Sequence, residues 1–176
     1  MTATEYFTMP EGPPYFQLID GELFMSPSPH FFHQEIIINL ASLIREYLRK
    51  NPIGKVIVSP SDVHFDQNNV FQPDIFFISN ERLPLVDKHG LKGAPDLVIE
   101  VLSTSTARLD LIPKKMVYAE RGVREYWVVR PEEKSVEIFD FQADREQAAR
   151  KISGAEKLET KLLPGFQIEP QTIFAS

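Results

Sequence analysis

No cysteine occurs in the 176 residues of the chain. This excludes disulfides and thiolate zinc sites, fits a reducing compartment, and leaves only oxygen or histidine ligands for a metal. No apolar run approaches the roughly 18 residues of a membrane span. The opening "MTATEYFTMPEGPP" has no basic stretch followed by an apolar one, as a signal peptide would, so the expected location is cytoplasmic. Basic excess is missing too: 19 Lys and Arg face 25 Asp and Glu, giving a net charge of -6, which argues against a generic nucleic-acid coating protein. Positive charge gathers only locally, at Lys114, Lys115, Arg121 and Arg124 and at Arg45, Arg49, Lys50 and Lys55. Such clusters read first as solvated helix surface and second as phosphate contacts.

What is present is enough apolar material, 43% of residues, for one domain with a sizeable core, expected to span residues 1–176. "YFQLIDGELFMSPSP" reads as a hairpin turning at Asp20-Gly21. Ser28-Pro29 then reads as a helix start, with Ser as N-cap and Pro at the first position. The helix is expected to run to about Lys50, with Ile36, Leu40, Leu43 and Tyr47 on its apolar stripe. "KVIVSP" and "DVHFD" look like strands, the second with Val63 and Phe65 inward, and "QNN" like a turn. A shorter helix is expected from Pro113 to Arg121, stopped by Gly122. "REYWVVRPE" and "SVEIFDF" should pair through a turn at Pro131 to Lys134, and a polar stretch, "QADREQAARKISGAEKLET", then precedes a last "LLPGFQIEP". Helix, strands, helix and strand with β-rich flanks predict an α/β domain around a mixed sheet.

Two segments carry the chemical signal. "FQPDIFFIS" and "GAPDLVIEVLS" place Asp74, Asp96 and Glu100 at or inside runs apolar enough to be strands covered on both faces. A buried carboxylate is costly unless it is paired, hydrogen-bonded or bound to a cation. Strand alternation sets Asp96, Val98 and Glu100 on one face and Leu97, Ile99 and Val101 on the other. If the Asp74 strand is the neighbour, two carboxylates meet near one sheet edge, where a hard divalent cation would offset their repulsion. On that reading, Glu100→Gln should stabilise the metal-free protein. The structural alternative is a turn cap or an Arg pair. It suits Asp96, directly after Pro95 at a strand entrance, and suits Glu100 least, because apolar residues surround it. Trp127 and Tyr126 read as core and strand-edge packing.

An Asp after Pro on one strand, a Glu midway along the next and a nearby Lys resemble the PD-(D/E)xK nuclease superfamily. More narrowly, "LIDGELFMSPSP", "HQEI", "QPDIFFIS", "GAPDLVIEVLS" and "KKMVYAERGVREYWVV", in that order, resemble the Uma-type restriction endonuclease family over Phe16 to Phe139. The resemblance implies a restriction-endonuclease-like core of helix, three strands, helix and strand, with β-hairpin additions. It implies Mg²⁺- or Mn²⁺-dependent phosphodiester cleavage, with DNA as the expected partner. Asp74 and Glu100 would be metal ligands, with the backbone carbonyl of Val101 beside them. Leu102 stands where the superfamily's lysine would be, and the resemblance moves that role to Lys114 on the following helix. Pro113 just before it keeps Lys115 a competitor. His33 matches a position where the superfamily often has a polar site residue; otherwise it is a satisfied core histidine. Glu22 could join the metal site or be an exposed strand carboxylate. Cleavage of both strands by a one-site domain would call for two copies, so a homodimer is expected. The rival class is a catalytically silent domain that binds nucleic acid or protein on the same fold.

Overall fold

The protein is described from a computed structural model, which covers all residues except Pro27, Thr104, Ser105, Thr106, Arg108, Leu109 and Ser176. In chain order the elements are α1 (Ala3–Tyr6), β1 (Phe16–Ile19), β2 (Glu22–Met25), α2 (Phe31–Lys50), β3 (Gly54–Val58), β4 (Val63–Asp66), β5 (Asn69–Phe71) and β6 (Ile75–Ser79). After a 3₁₀ turn at Leu83–Leu85 come β7 (Val86–Asp87), β8 (Gly90–Lys92) and β9 (Leu97–Val101). A π-helical turn, Asp110–Lys114, then leads into α3 (Lys115–Arg121), followed by β10 (Glu125–Arg130), β11 (Ser135–Asp140), β12 (Arg150–Ser153), β13 (Leu158–Glu159), β14 (Gln167–Ile168) and α4 (Pro170–Ile173). Among the described residues no helix is long and apolar enough to cross a membrane.

The two unbroken apolar runs, β6 and β9, are neighbours inside one six-stranded sheet of order β12-β11-β10-β9-β6-β3. Every adjacent pair in it is antiparallel except β9 and β10, whose parallel crossover is α3. Reading α2, β3, β6, β9, α3, β10 along the chain gives the expected core order. Both faces are covered, as continuous apolar strands require. On one face Leu97, Ile99, Val101, Ile75 and Trp127 pack under Ile36, Leu40 and Ile44 of α2. On the other, Phe76, Val98, Tyr126 and Val128 meet Tyr118 of α3 and residues of a second sheet.

That second sheet is larger than the hairpin additions expected. Strands in the order β2-β1-β5-β4-β8-β7 form six strands of their own, because the insertions before β6 and before β9 pair with each other and with the first hairpin. The hairpin turn sits where Asp20-Gly21 predicts, with φ of 50° and 78°, the left-handed pair a two-residue hairpin turn needs.

Three local expectations are corrected. Helix α2 begins at Phe31 with His30 in the N-cap position and no side-chain cap bond, two residues past the Ser28-Pro29 signal. Its buried stripe is Ile36, Ile37, Leu40, Ile44 and Leu48, with Leu43 and Tyr47 only partly covered. Pro113 lies inside helical structure instead of opening it, because the wide π turn accommodates a residue that cannot donate to the ladder. The polar stretch after β11, for which no element was expected or excluded, supplies a strand: β12 pairs with β11, Val136 opposite Ile152, since alternation buries Ile152 while its neighbours stay exposed.

Candidate active site

Strands β6 and β9 run antiparallel with Ile75 opposite Ile99. Carrying that register one residue further sets Asp74 opposite Glu100, at the end of the sheet where β6 begins and β9 finishes. The ladder is replaced there by side chains. The Asp74 N–H donates to Glu100 Oε2 at 3.2 Å, and the Val101 N–H donates to Asp74 Oδ2 at 2.8 Å. Proline at position 73 leaves that residue without a donor of its own, so the strand's first regular pairing falls at Ile75. The two carboxylates named from sequence are therefore each held by a backbone N–H of the other's strand segment, Glu100 by that of Asp74 and Asp74 by that of Val101.

Glu100 is 2% exposed and Lys114 3%. Lys114 Nζ lies 3.1 Å from Glu100 Oε1, and the Tyr118 hydroxyl donates to the same oxygen at 2.6 Å. Lys114 and Tyr118, one helical turn apart, thus converge on one carboxylate from the α3 side. Lys115 goes elsewhere: its ammonium sits 3.9 Å over the Phe139 ring and donates to the Glu146 carbonyl. Of the two lysines, the structure brings Lys114 to Glu100.

The N-terminal turn of α2 adds His33, whose Nε2 lies 3.3 Å from Asp74 Oδ2. Burial pushes its pKa down. The hydrogen bond and charge of Asp74, the backbone of Val101 and the charge of Glu100 outweigh this and leave the pKa raised. Nδ1 is buried and makes no well-formed hydrogen bond among the described residues. His33 is therefore an ion-pair partner, not a core histidine. A cavity of about 600 Å³ opens over these groups; Asp74, Glu100, Lys114 and His33 line it from the core side, and Tyr15 and Met25 from the first hairpin. Glu22 is exposed at the start of β2, opposite Ile19, and is not among the cavity's lining residues.

Asp96 proves structural. It is fully buried, accepts the Ser79 N–H at 2.7 Å, and lies 3.2 Å from Arg124 and 3.4 Å from Arg82. Trp127 and Tyr126 are fully buried core. The basic clusters behave as surface or internal pairs: Arg121 binds Asp66 at 2.8 Å, and Arg45, Arg49, Lys50 and Lys55 are exposed. Sequence reasoning did not assign Tyr118 to the site, although its position one turn after Lys114 is the signal that finds it.

The two facing carboxylates, Asp74 and Glu100, are the hard oxygen donors that a divalent cation takes. Asp74 Oδ1 accepts no hydrogen bond among the described residues, and Glu100 Oε2 accepts the Asp74 N–H at 3.2 Å. Asp74 Oδ1 thus keeps its lone pairs for a cation. The residues present therefore fit such an ion.

An α/β core with one parallel strand pair, ending in two facing carboxylates and a lysine, defines a restriction-endonuclease-like protein. The chain belongs to the Uma2 family, described as "Putative restriction endonuclease", whose model matches residues 3–171. Among solved structures it is similar to a "putative nuclease belonging to DUF820" from Anabaena variabilis, with 19% identity, a TM-score of 0.84, and coverage of 99% of this chain and 97% of the other. At that identity the likeness shows the fold. A second structure, the type IIG restriction endonuclease BpuSI, overlaps 68% of this chain and 13% of its own length at 12% identity and a TM-score of 0.38, too low to bear on the argument. No curated protein matches the chain.

Proposed function

We propose that the chain, acting as a single domain over residues 1–176, is a metal-dependent endonuclease of the PD-(D/E)xK type that hydrolyses phosphodiester bonds in DNA. One observation carries this reading: Asp74 and Glu100 meet at the end of adjacent strands, in a cavity wall, with Lys114 Nζ 3.1 Å from Glu100 Oε1. Asp74, Glu100 and the Val101 carbonyl would hold Mg²⁺ or Mn²⁺. When bound, such an ion polarises a phosphoryl oxygen and lowers the pKa of a coordinated water. Lys114, fixed by Glu100, keeps a positive charge at the wall to meet the negative charge that develops on the phosphate. Tyr118 holds the Glu100 carboxylate in place, and His33 donates to Asp74 and restricts its rotation.

A supercoiled plasmid incubated with Mg²⁺ or Mn²⁺ tests the reading. Lys114→Ala should slow cleavage about 10²-fold, the scale of losing one preorganised electrostatic contact, while calorimetry still detects metal binding. Glu100→Gln should weaken metal binding itself. Lys115→Ala, whose side chain is occupied by Phe139 and Glu146, should cut at nearly the wild-type rate. Equal effects of the two lysine changes would refute the assignment of Lys114.

A silent binding domain is the second reading. What favours it is that, among the described residues, no group of three or more His, Asp or Glu is placed to hold a metal, and that Glu100 already has a cationic partner. No cleavage of any DNA or RNA with either ion, together with retained nucleic-acid binding, would select it.

A further inference from the structure

A second cavity, of about 450 Å³, adjoins the first. The two share the wall formed by Pro14, Tyr15, Pro60 and Gln72, so a ligand seated over Asp74 and Glu100 has this space as an immediate neighbour. Nothing in the chemistry proposed above uses it. Its polar centre is Asp62, half-buried just before β4. Only one oxygen of that carboxylate is occupied: Oδ1 accepts from the Gln72 amide at 2.9 Å and from the Tyr6 hydroxyl at 3.2 Å. Oδ2 accepts no hydrogen bond among the described residues. Burial pushes the Asp62 carboxyl up, against the hydrogen bonds from Gln72 and Tyr6 and the charge of His89, so this is a carboxylate short of donors.

The other walls are aromatic. Tyr15 is 42% exposed and touches no other aromatic ring among the described residues, leaving a ring face open at the boundary between the cavities. Phe7 and His89, with ring centroids 4.8 Å apart, form another side. A half-buried acceptor among aromatic walls, with Glu11 and Lys88 also lining the space, one step from the proposed phosphodiester site, matches the needs of an unpaired base: stacking on a π face and a partner for its Watson–Crick edge.

We propose that this second cavity is a base-binding subsite of the same site, seating the base next to the scissile phosphate, with Asp62 Oδ2 accepting from an exocyclic amino group and Tyr15 stacking on the ring. The proposal rests on the nuclease reading and deepens it. A base still paired in a duplex cannot enter such a space, so the base beside the scissile phosphate is an unpaired one, in a single strand or where a duplex opens locally. Cytosine, adenine and guanine each carry an exocyclic amino donor; thymine has none and offers a carbonyl acceptor where cytosine has its amino group.

Fluorescence anisotropy with labelled dC12 and dT12, in EDTA to prevent cleavage, tests it. Wild type should bind dC12 about tenfold tighter than dT12, the low end of one base-specific contact. Asp62→Asn should equalise or invert that ratio: its carbonyl keeps the Gln72 and Tyr6 bonds, which turns an NH₂ donor into the cavity. Inversion of preference is a result that misfolding does not produce. Tyr15→Ala should weaken both oligonucleotides about tenfold with the ratio unchanged. Equal wild-type affinities, or an unchanged ratio in Asp62→Asn, overturn the subsite. If plasmid is still cut with Mg²⁺ or Mn²⁺ in that case, the nuclease reading stands without it. If no oligonucleotide binds and no plasmid is cut, both fall together.

Discussion

At the residue scale, Glu100 reverses an expectation. Repulsion between two carboxylates predicts a stabilising Glu100→Gln, yet Glu100 is buried against Lys114 and Tyr118 and receives the Asp74 N–H. Removing its charge takes a close anion from a buried ammonium, so Glu100→Gln should destabilise the metal-free protein by about 3 kcal/mol. Thermal melts in EDTA measure this, and a rise in Tm would restore the repulsion picture. The double variant Glu100→Gln/Lys114→Met should lose less than the sum of its single changes, because the two groups share one interaction. Glu125 gives a pH-dependent counterpart. Burial raises its carboxyl pKa, against hydrogen bonds from Trp127 and Thr160. A raised carboxyl binds its proton more tightly in the folded chain than in the unfolded one. Stability is therefore lost as pH climbs from the unfolded value through the folded one, and the penalty is complete above it. Melting curves of Glu125→Gln against wild type should show the variant gaining relative stability as pH rises from about 4.5; a pH-independent difference would count against a buried charge there.

At the scale of elements, the edge pairing of β3 with β6 depends on one glycine. A Cβ on Gly54 would lie 2.2 Å from the Ile78 carbonyl and 2.6 Å from the Phe77 ring, and both belong to the strand whose other end presents Asp74. Gly54→Ala should cost about 2 kcal/mol through overpacking and lower Tm by about 6 °C. A melt within one degree of wild type would mean that β3 shifts freely. The turn before α3 works in the other direction. Its extra residue per turn admits Pro113, and one residue of phase rotates a helix by about 100°, enough to decide which of two adjacent lysines faces the sheet.

For the whole molecule, the proposed reaction sets the assembly. Hydrolysis of both strands of a duplex needs two sites, and twofold pairs are the commonest way to supply them. We expect a homodimer by light scattering at assay concentration and linear plasmid as the product. A monomer should yield nicked circles instead. The overall negative charge of -6 adds no attraction for a polyanion, so binding should depend on salt with a shallow slope set by few contacts.

The sequence by itself determined the elements whose causes are local. Apolar runs marked β6 and β9, Asp20-Gly21 marked the hairpin, Gly122, with φ of 97°, marked the end of α3, and alternation put Glu100 on the face opposite Ile99. The resemblance points to Asp74, Glu100 and Lys114. Tertiary structure alone decided what depends on segments far apart in the chain. Insertions separated by a strand joined into a second sheet, because unpaired backbone groups at several edges could satisfy one another only there. Lys114 prevailed over Lys115 through the phase of a π turn, which no apolar period records. His33 proved to be Asp74's partner and Glu22 lay outside the cavity, because α2 and β2 present different ends to it. Asp62 and Tyr15 gained meaning only where two cavities share a wall. Local patterns encode which backbone conformation each segment prefers; which side chains meet is fixed by packing, and packing is a property of the folded whole.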